Sequence, residues 1–208
     1  SLDGKQVIST ADRQCSSSTI GNDLDYFAGA ASVTEQKKKK RNAEYAFSGL
    51  TVNNAKPYCA VEGVLGGFSL LVIYSDDKEP FRLLNLYEGF RFMRYTGITL
   101  NLSGFRVPDP IGSATGRIGH ITWEGDASLD GSGENLTFNN VQMTDAKNPV
   151  GNQFNSQSNI NSDEKSFGID FDAYTLASPV IAVGSTNTVT QLDGVFAHVL
   201  SVDAVAVY

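Results

Sequence analysis

Apolar and polar residues alternate with period two along most of this chain and rarely with the 3.6 period of a helix, the signature of half-buried strands. The segment GITLNLSGF at 97–105 is the clearest: Ile98, Leu100 and Leu102 fall on one face, Thr99, Asn101 and Ser103 on the other. FSLLVIYS at 68–75 is a short unbroken apolar run between Gly-Gly and Asp-Asp, which predicts a strand covered on both faces. Further strands are predicted at 81–90, 117–125 and 136–138, and over 25–34 and 44–52. The last fifteen residues, GVFAHVLSVDAVAVY, are apolar on both faces and predict a strand in the middle of a sheet.

Turn signals punctuate these runs: Asp76-Asp77, Pro108-Asp109-Pro110, Asp130-Gly131-Ser132-Gly133, Asn139-Asn140, Asn148-Pro149 and Asp193-Gly194. Strands at this spacing, without amphipathic helices between them, predict an all-β fold. The expected architecture is an antiparallel two-sheet β-sandwich of jelly-roll or Ig-like type. The aperiodic stretch 147–166, rich in Asn and Ser, is a long surface loop ordered by its own side chains or mobile. The expected division is an N-terminal strand or arm over 1–24 and one sandwich domain over 25–208.

Composition narrows the class. The chain has 208 residues, 41% hydrophobic and 19% charged, with 20 Gly. No apolar run approaches the ~18 residues of a membrane helix, so no membrane span is expected. A net charge of −7 argues against nucleic acid, which selects a basic face. Two cysteines, Cys15 and Cys59, fit an exported protein with one disulfide, although two free thiols in a cytosolic protein would read the same. The predominance of Asn over Lys, and Asn-x-Ser/Thr tripeptides at Asn101 and Asn135, favour the exported reading and a Cys15–Cys59 bridge.

Several motifs taken in order form a wider pattern. GGFSLLVIYSDDKEPFRLLNLYEGF at 66–90 is followed by LSGFRVP at 102–108, IGHITWEGD at 118–126, LTFNN at 136–140, NPVGNQFNS at 148–156 and FGIDFDAY at 167–174. With the weaker DYFAGAASVT at 25–34, this succession resembles an uncharacterised β-sandwich module of large secreted or surface-anchored bacterial and archaeal proteins, adhesin-like stalk proteins. The resemblance implies a structural or adhesive role at the cell surface and brings no catalytic residues. This chain is shorter than such stalks, so it is expected to gain reach by self-association into a homopolymer. Residues 1–10 are the candidate strand donated to another copy.

Candidate chemistry is sparse. Asp126, Asp130 and Glu134 in WEGDASLDGSGEN place carboxylates among glycines, a composition suited to Ca2+, but without the spacing of an EF-hand loop. A glycine-rich turn with solvated carboxylates reads the same. Asp170 and Asp172 share one face of a strand, as a ligand pair or as an exposed polar face. Lys37, Lys38, Lys39, Lys40 and Arg41 form the one basic run, either a contact for an anionic surface such as a polysaccharide or a neighbouring subunit, or a solvated hairpin tip. Trp123 suits sugar stacking or, more simply, a core position between sheets. His120 and Glu124 fall on the face opposite Trp123. No nucleophile elbow, phosphate loop or zinc motif is present, and the chain is read as a non-enzyme.

The function expected from these readings is a structural subunit or adhesive module of an extracellular fibre, built by strand complementation and lateral packing. The alternative is a lectin-like carbohydrate- or surface-binding module, with Ca2+ as the one cofactor considered.

Overall fold

A computed structural model describes residues 1–18, 25–56, 58, 66–79, 81–93, 95–107, 116–128, 133–161, 164, 166, 168–177, 180–194 and 198–207. Two compact units divide the chain, Ser1–Ser75 and Asp76–Tyr208. The described residues of the arm expected over 1–24 therefore fall in one unit with those that follow up to Ser75.

In the first unit, β1 (Gln14–Ser18) and β2 (Asp25–Gly29) form an antiparallel ribbon with Cys15 opposite Ala28. Residues 1–10 form no strand. Leu2 is buried and makes isolated bridges to Lys5 and Phe47, so this stretch is engaged within its own unit. The basic run is not a hairpin tip. It lies in a short helix, α1 (Thr34–Lys40), with Arg41 as its C-cap at φ 56°. Glu, Gln and Lys are good helix formers, and cations in the last turn complement the unpaired carbonyls there. The Lys37 ammonium donates to the Arg41 carbonyl at 2.6 Å.

The run 68–75 is likewise not the covered strand its composition predicts. Among the described residues it has no ladder partner, and Phe68, Leu71, Val72, Ile73 and Tyr74 are all exposed. Apolar composition favours an extended chain, but a strand exists only when a neighbour pairs its N–H and C=O groups. Residues 44–52 also form no strand apart from the single bridge at Phe47.

The second unit holds the other eight strands: β3 (Leu84–Met93), β4 (Thr96–Ser103), β5 (Gly116–Trp123), β6 (Asn135–Phe138), β7 (Val141–Met143), β8 (Ile169–Leu176), β9 (Asn187–Gly194) and β10 (His198–Val207). They form two four-stranded sheets, β3-β10-β5-β8 and β4-β9-β6-β7, antiparallel in every described pairing. The C-terminal strand, apolar on both faces, is central between β3 and β5. Asn139 and Asn140 adopt φ of 47° and 63° and close the β6–β7 turn, a left-handed pair that a two-residue hairpin requires and that Asn tolerates.

One core draws on both sheets. Met93, Ile118, Tyr174 and Leu176 from the first meet Leu102, Leu136, Phe138, Met143 and Leu192 from the second, with Phe105, Val107, Phe154 and Ile181 from connecting segments. Along β4 the predicted alternation is realised: Leu102 is buried, Ile98 and Leu100 pack against the core, and Thr99 and Asn101 are exposed.

Candidate functional site

The most unusual chemistry lies on the inner face of the β5–β8 pair. Strand register sets His120 opposite Asp172 and Thr122 opposite Asp170. Alternation then sends all four side chains to one side of the sheet, where none is more than 5% exposed. Phe154 meets the His120 ring edge-on, with centroids 5.9 Å apart. The imidazole Nδ1 and the Thr122 hydroxyl are 3.0 Å apart, and Nε2 faces Asp172 Oδ2 at 4.0 Å.

A burial of this kind costs several kcal/mol unless hydrogen bonds compensate. The Asn-rich segment supplies them. The Asn155 backbone N–H donates to Asp170 Oδ1 at 2.8 Å. Asp172 Oδ1 accepts from the Asn148 amide at 2.9 Å and from the Asn159 N–H at 3.0 Å. The Gln153 amide donates to the Tyr174 hydroxyl, and the Asn159 side chain spans Asp145 and the Ala173 carbonyl and accepts from the Ala173 N–H. Residues 145–159 are thus tied down over β8 by side-chain amides and by backbone N–H groups aimed at its two carboxylates. Among the described residues Asp170 Oδ2, Asp172 Oδ2 and His120 Nε2 are buried without a hydrogen-bond partner, while the Ser156 and Gln157 N–H groups lie near enough to favour the ionised form of Asp170.

Electrostatics follow from this seclusion. Burial, and then the neighbouring Asp172 charge, push Asp170 up to about 8. Burial pushes Asp172 up to about 6 against the opposing donors, and drives His120 down to about 4. The Tyr174 phenol is raised as well, by burial and then by Asp172. At neutral pH the cluster therefore holds a neutral imidazole beside a protonated Asp170 and an ionised Asp172.

The order Thr122, His120, Asp172 is that of a nucleophile, a base and an orienting carboxylate. Yet the imidazole–carboxylate separation of 4.0 Å exceeds a hydrogen bond, and all three groups are buried. Among the described residues no three His, Cys, Asp or Glu side chains are grouped so as to hold a metal ion.

The residues singled out from sequence are dispersed. Asp126 is exposed, Glu134 is fully buried beside Gly151 and Asn152, and Asp130 lies outside the described residues. Cys15 is exposed on β1 and its thiol is free; Cys59, the other half of the expected bridge, lies outside the described residues. Trp123 is half-buried rather than a core side chain, on the face of β5 opposite His120, and Glu124 has left the strand at φ 73°. Lys40 bonds Asp3 at 2.7 Å, Lys38 bonds Glu35 at 3.0 Å, and the Lys37 and Lys40 ammonium groups lie 5.1 and 4.8 Å from the Tyr45 ring centre. Three of the five charges are therefore engaged within their own unit.

Asp170 and Asp172 sit on the buried face, against the expectation of an exposed one. The sequence signal was present in the density of Asn, which offers both N–H and C=O groups to a buried acid, but only strand register reveals that His120 and Thr122 lie opposite.

No family model, no curated protein and no solved structure matches this chain.

Proposed function

We propose that this chain is a structural or adhesive module of an extracellular, cell-surface fibre, with the second unit as a two-sheet sandwich and copies joined by strand addition. The observation that carries this reading is the run Phe68–Tyr74, apolar in composition, exposed at most of its large side chains and, among the described residues, without a ladder partner. Side chains at Leu71 and Ile73 are 46% and 58% exposed, and Tyr74 is 75% exposed. A backbone with unpaired donors and acceptors beside exposed aliphatic groups is the form of a donor strand, since pairing with a sheet edge satisfies the backbone and buries the side chains together. The sheets offer edges at β3, β8, β4 and β7. We place the donor at 68–74, where Phe68 stacks on Phe47, rather than at residues 1–10, whose Leu2 is buried and bridged. The resemblance to surface stalk modules points the same way, and the low charge and Asn-rich loops suit an exported protein.

Negative-stain imaging of the purified chain tests the reading. Filaments or regular oligomers are expected in the wild type and are expected to vanish in Leu71→Asp/Ile73→Asp. Uniform monomers in the wild type overturn it.

A further inference from the structure

The cluster on β8 also has a mechanical consequence for the segment that covers it. We propose that residues 145–159 form a pH-sensitive latch: they close over β8 while the Asp170/Asp172 pair carries a proton, and lift when both carboxylates are ionised. The geometry supplies the device. Both carboxylates point to the same face of one strand, and each receives donors from the covering segment, Asp170 from Asn155 with the Ser156 and Gln157 N–H groups close by, Asp172 from Asn148 and Asn159. Among the described residues the Oδ2 atoms have no hydrogen-bond partner within bonding geometry. Around Asp170 Oδ2 there is no spare room, since even a methyl group at Gly125 would lie 2.0 Å from it and 2.8 Å from the Ser156 nitrogen. A proton on Oδ2 removes the charge and lets the site stay dry. A second negative charge there requires water, and water reaches it only if the segment lifts.

Among the described residues no cation acts on that charge, and the N–H groups of Asn155, Ser156 and Gln157 oppose the rise of Asp170 without outweighing burial. His120, on β5, is neutral by burial, and Tyr174 on β8 is a neutral phenol whose ionisation burial opposes. From the covering segment Asp145 adds negative charge toward Asp172, while Lys147 lies 3.5 Å from Glu164. Glu134, at the start of β6, is a further buried carboxylate; Glu124 is half-buried and Asp126 exposed on the connection after β5.

Hydrogen exchange read by mass spectrometry between pH 5 and pH 8, corrected for intrinsic rates, tests the latch. Peptides covering 145–159 should lose protection by roughly tenfold per pH unit, more steeply than peptides from β4 and β9. Asp170→Asn, a permanently neutral isostere, should flatten that dependence. A second reading uses the wild type alone: the Asp170 carboxyl carbon, followed by NMR, should titrate over the same range in which the segment opens. Protection independent of pH, a dependence that survives in Asp170→Asn, or an Asp170 carboxyl already ionised at pH 5 would each overturn the proposal.

Discussion

A Cβ placed on Gly125 would lie 2.0 Å from Oδ2 of Asp170. The backbone just past β5 thus approaches a buried carboxyl more closely than any side chain allows. Glycine is required here by contact, since Gly125 does not occupy the left-handed region. The same residue anchors the covering segment, because its carbonyl accepts from the Ser156 hydroxyl and its own N–H donates to the Gly168 carbonyl. Gly125→Ala should therefore cost about 3 kcal/mol or more, the upper range for overpacking, and should loosen residues 154–159 before the sheets. Chemical denaturation together with exchange protection of that segment checks both parts.

Stability of the chain should rise on mild acidification. Asp170 and Asp172 have folded pKa values raised above that of an unfolded Asp, so their contribution is complete below about 4 and is lost as pH rises through about 6 for Asp172 and about 8 for Asp170. His120 runs the other way: its folded pKa is lowered to about 4, so stability is lost as pH falls from its ordinary value of 6.5 toward 4. From pH 6.5 to 8 only Asp170 acts among these three, and stability should decline by roughly 1 kcal/mol per pH unit. Between 4 and 6 two carboxyls oppose one imidazole, leaving a net gain on acidification. Urea midpoints at pH 5, 6.5 and 8 measure it, and Asp170→Asn should remove the decline above 6.5.

Asn148 is the donor that matters next. Its amide donates to Asp172 Oδ1 at 2.9 Å inside the fold, and the side chain is 0% exposed. Asn148→Asp replaces a donor with a third buried carboxyl beside a carboxylate. The loss should be about 3 kcal/mol or more at pH 8 and clearly smaller at pH 5, where the new acid is protonated. Asn148→Ala should cost about 1–3 kcal/mol with less dependence on pH, since it removes a donor without adding a charge. Thermal melts of both variants at the two pH values separate these outcomes.

Much of the second unit was legible because its strands obey simple alternation with turns of defined chemistry. The Ile98–Leu100–Leu102 face, the Asn139-Asn140 turn and the central position of the last strand all follow from residue pattern. The buried cluster was not. In IDFDAYTL, hydrophobicity alone would turn Ile169 and Phe171 inward, whereas Asp170 and Asp172 are buried and Phe171 is 39% exposed. What reverses the choice is a set of donors contributed from residues 148, 155 and 159, distant in sequence and aligned only once the segment has folded back. The run 68–75 failed differently: its composition fits a strand, but composition does not name the partner a strand needs. The basic run became a helix because five charges exclude a core and their side chains favour helical backbone, which period-two reasoning does not register.

Sedimentation velocity of the native chain over a concentration series tests the central claim most directly, with Leu71→Asp/Ile73→Asp run beside it. Wild-type protein should shift to larger species as concentration rises, and the double variant should stay monomeric with unchanged secondary structure. A wild type that sediments as a monomer at every concentration, or a double variant that assembles equally well, would contradict the account.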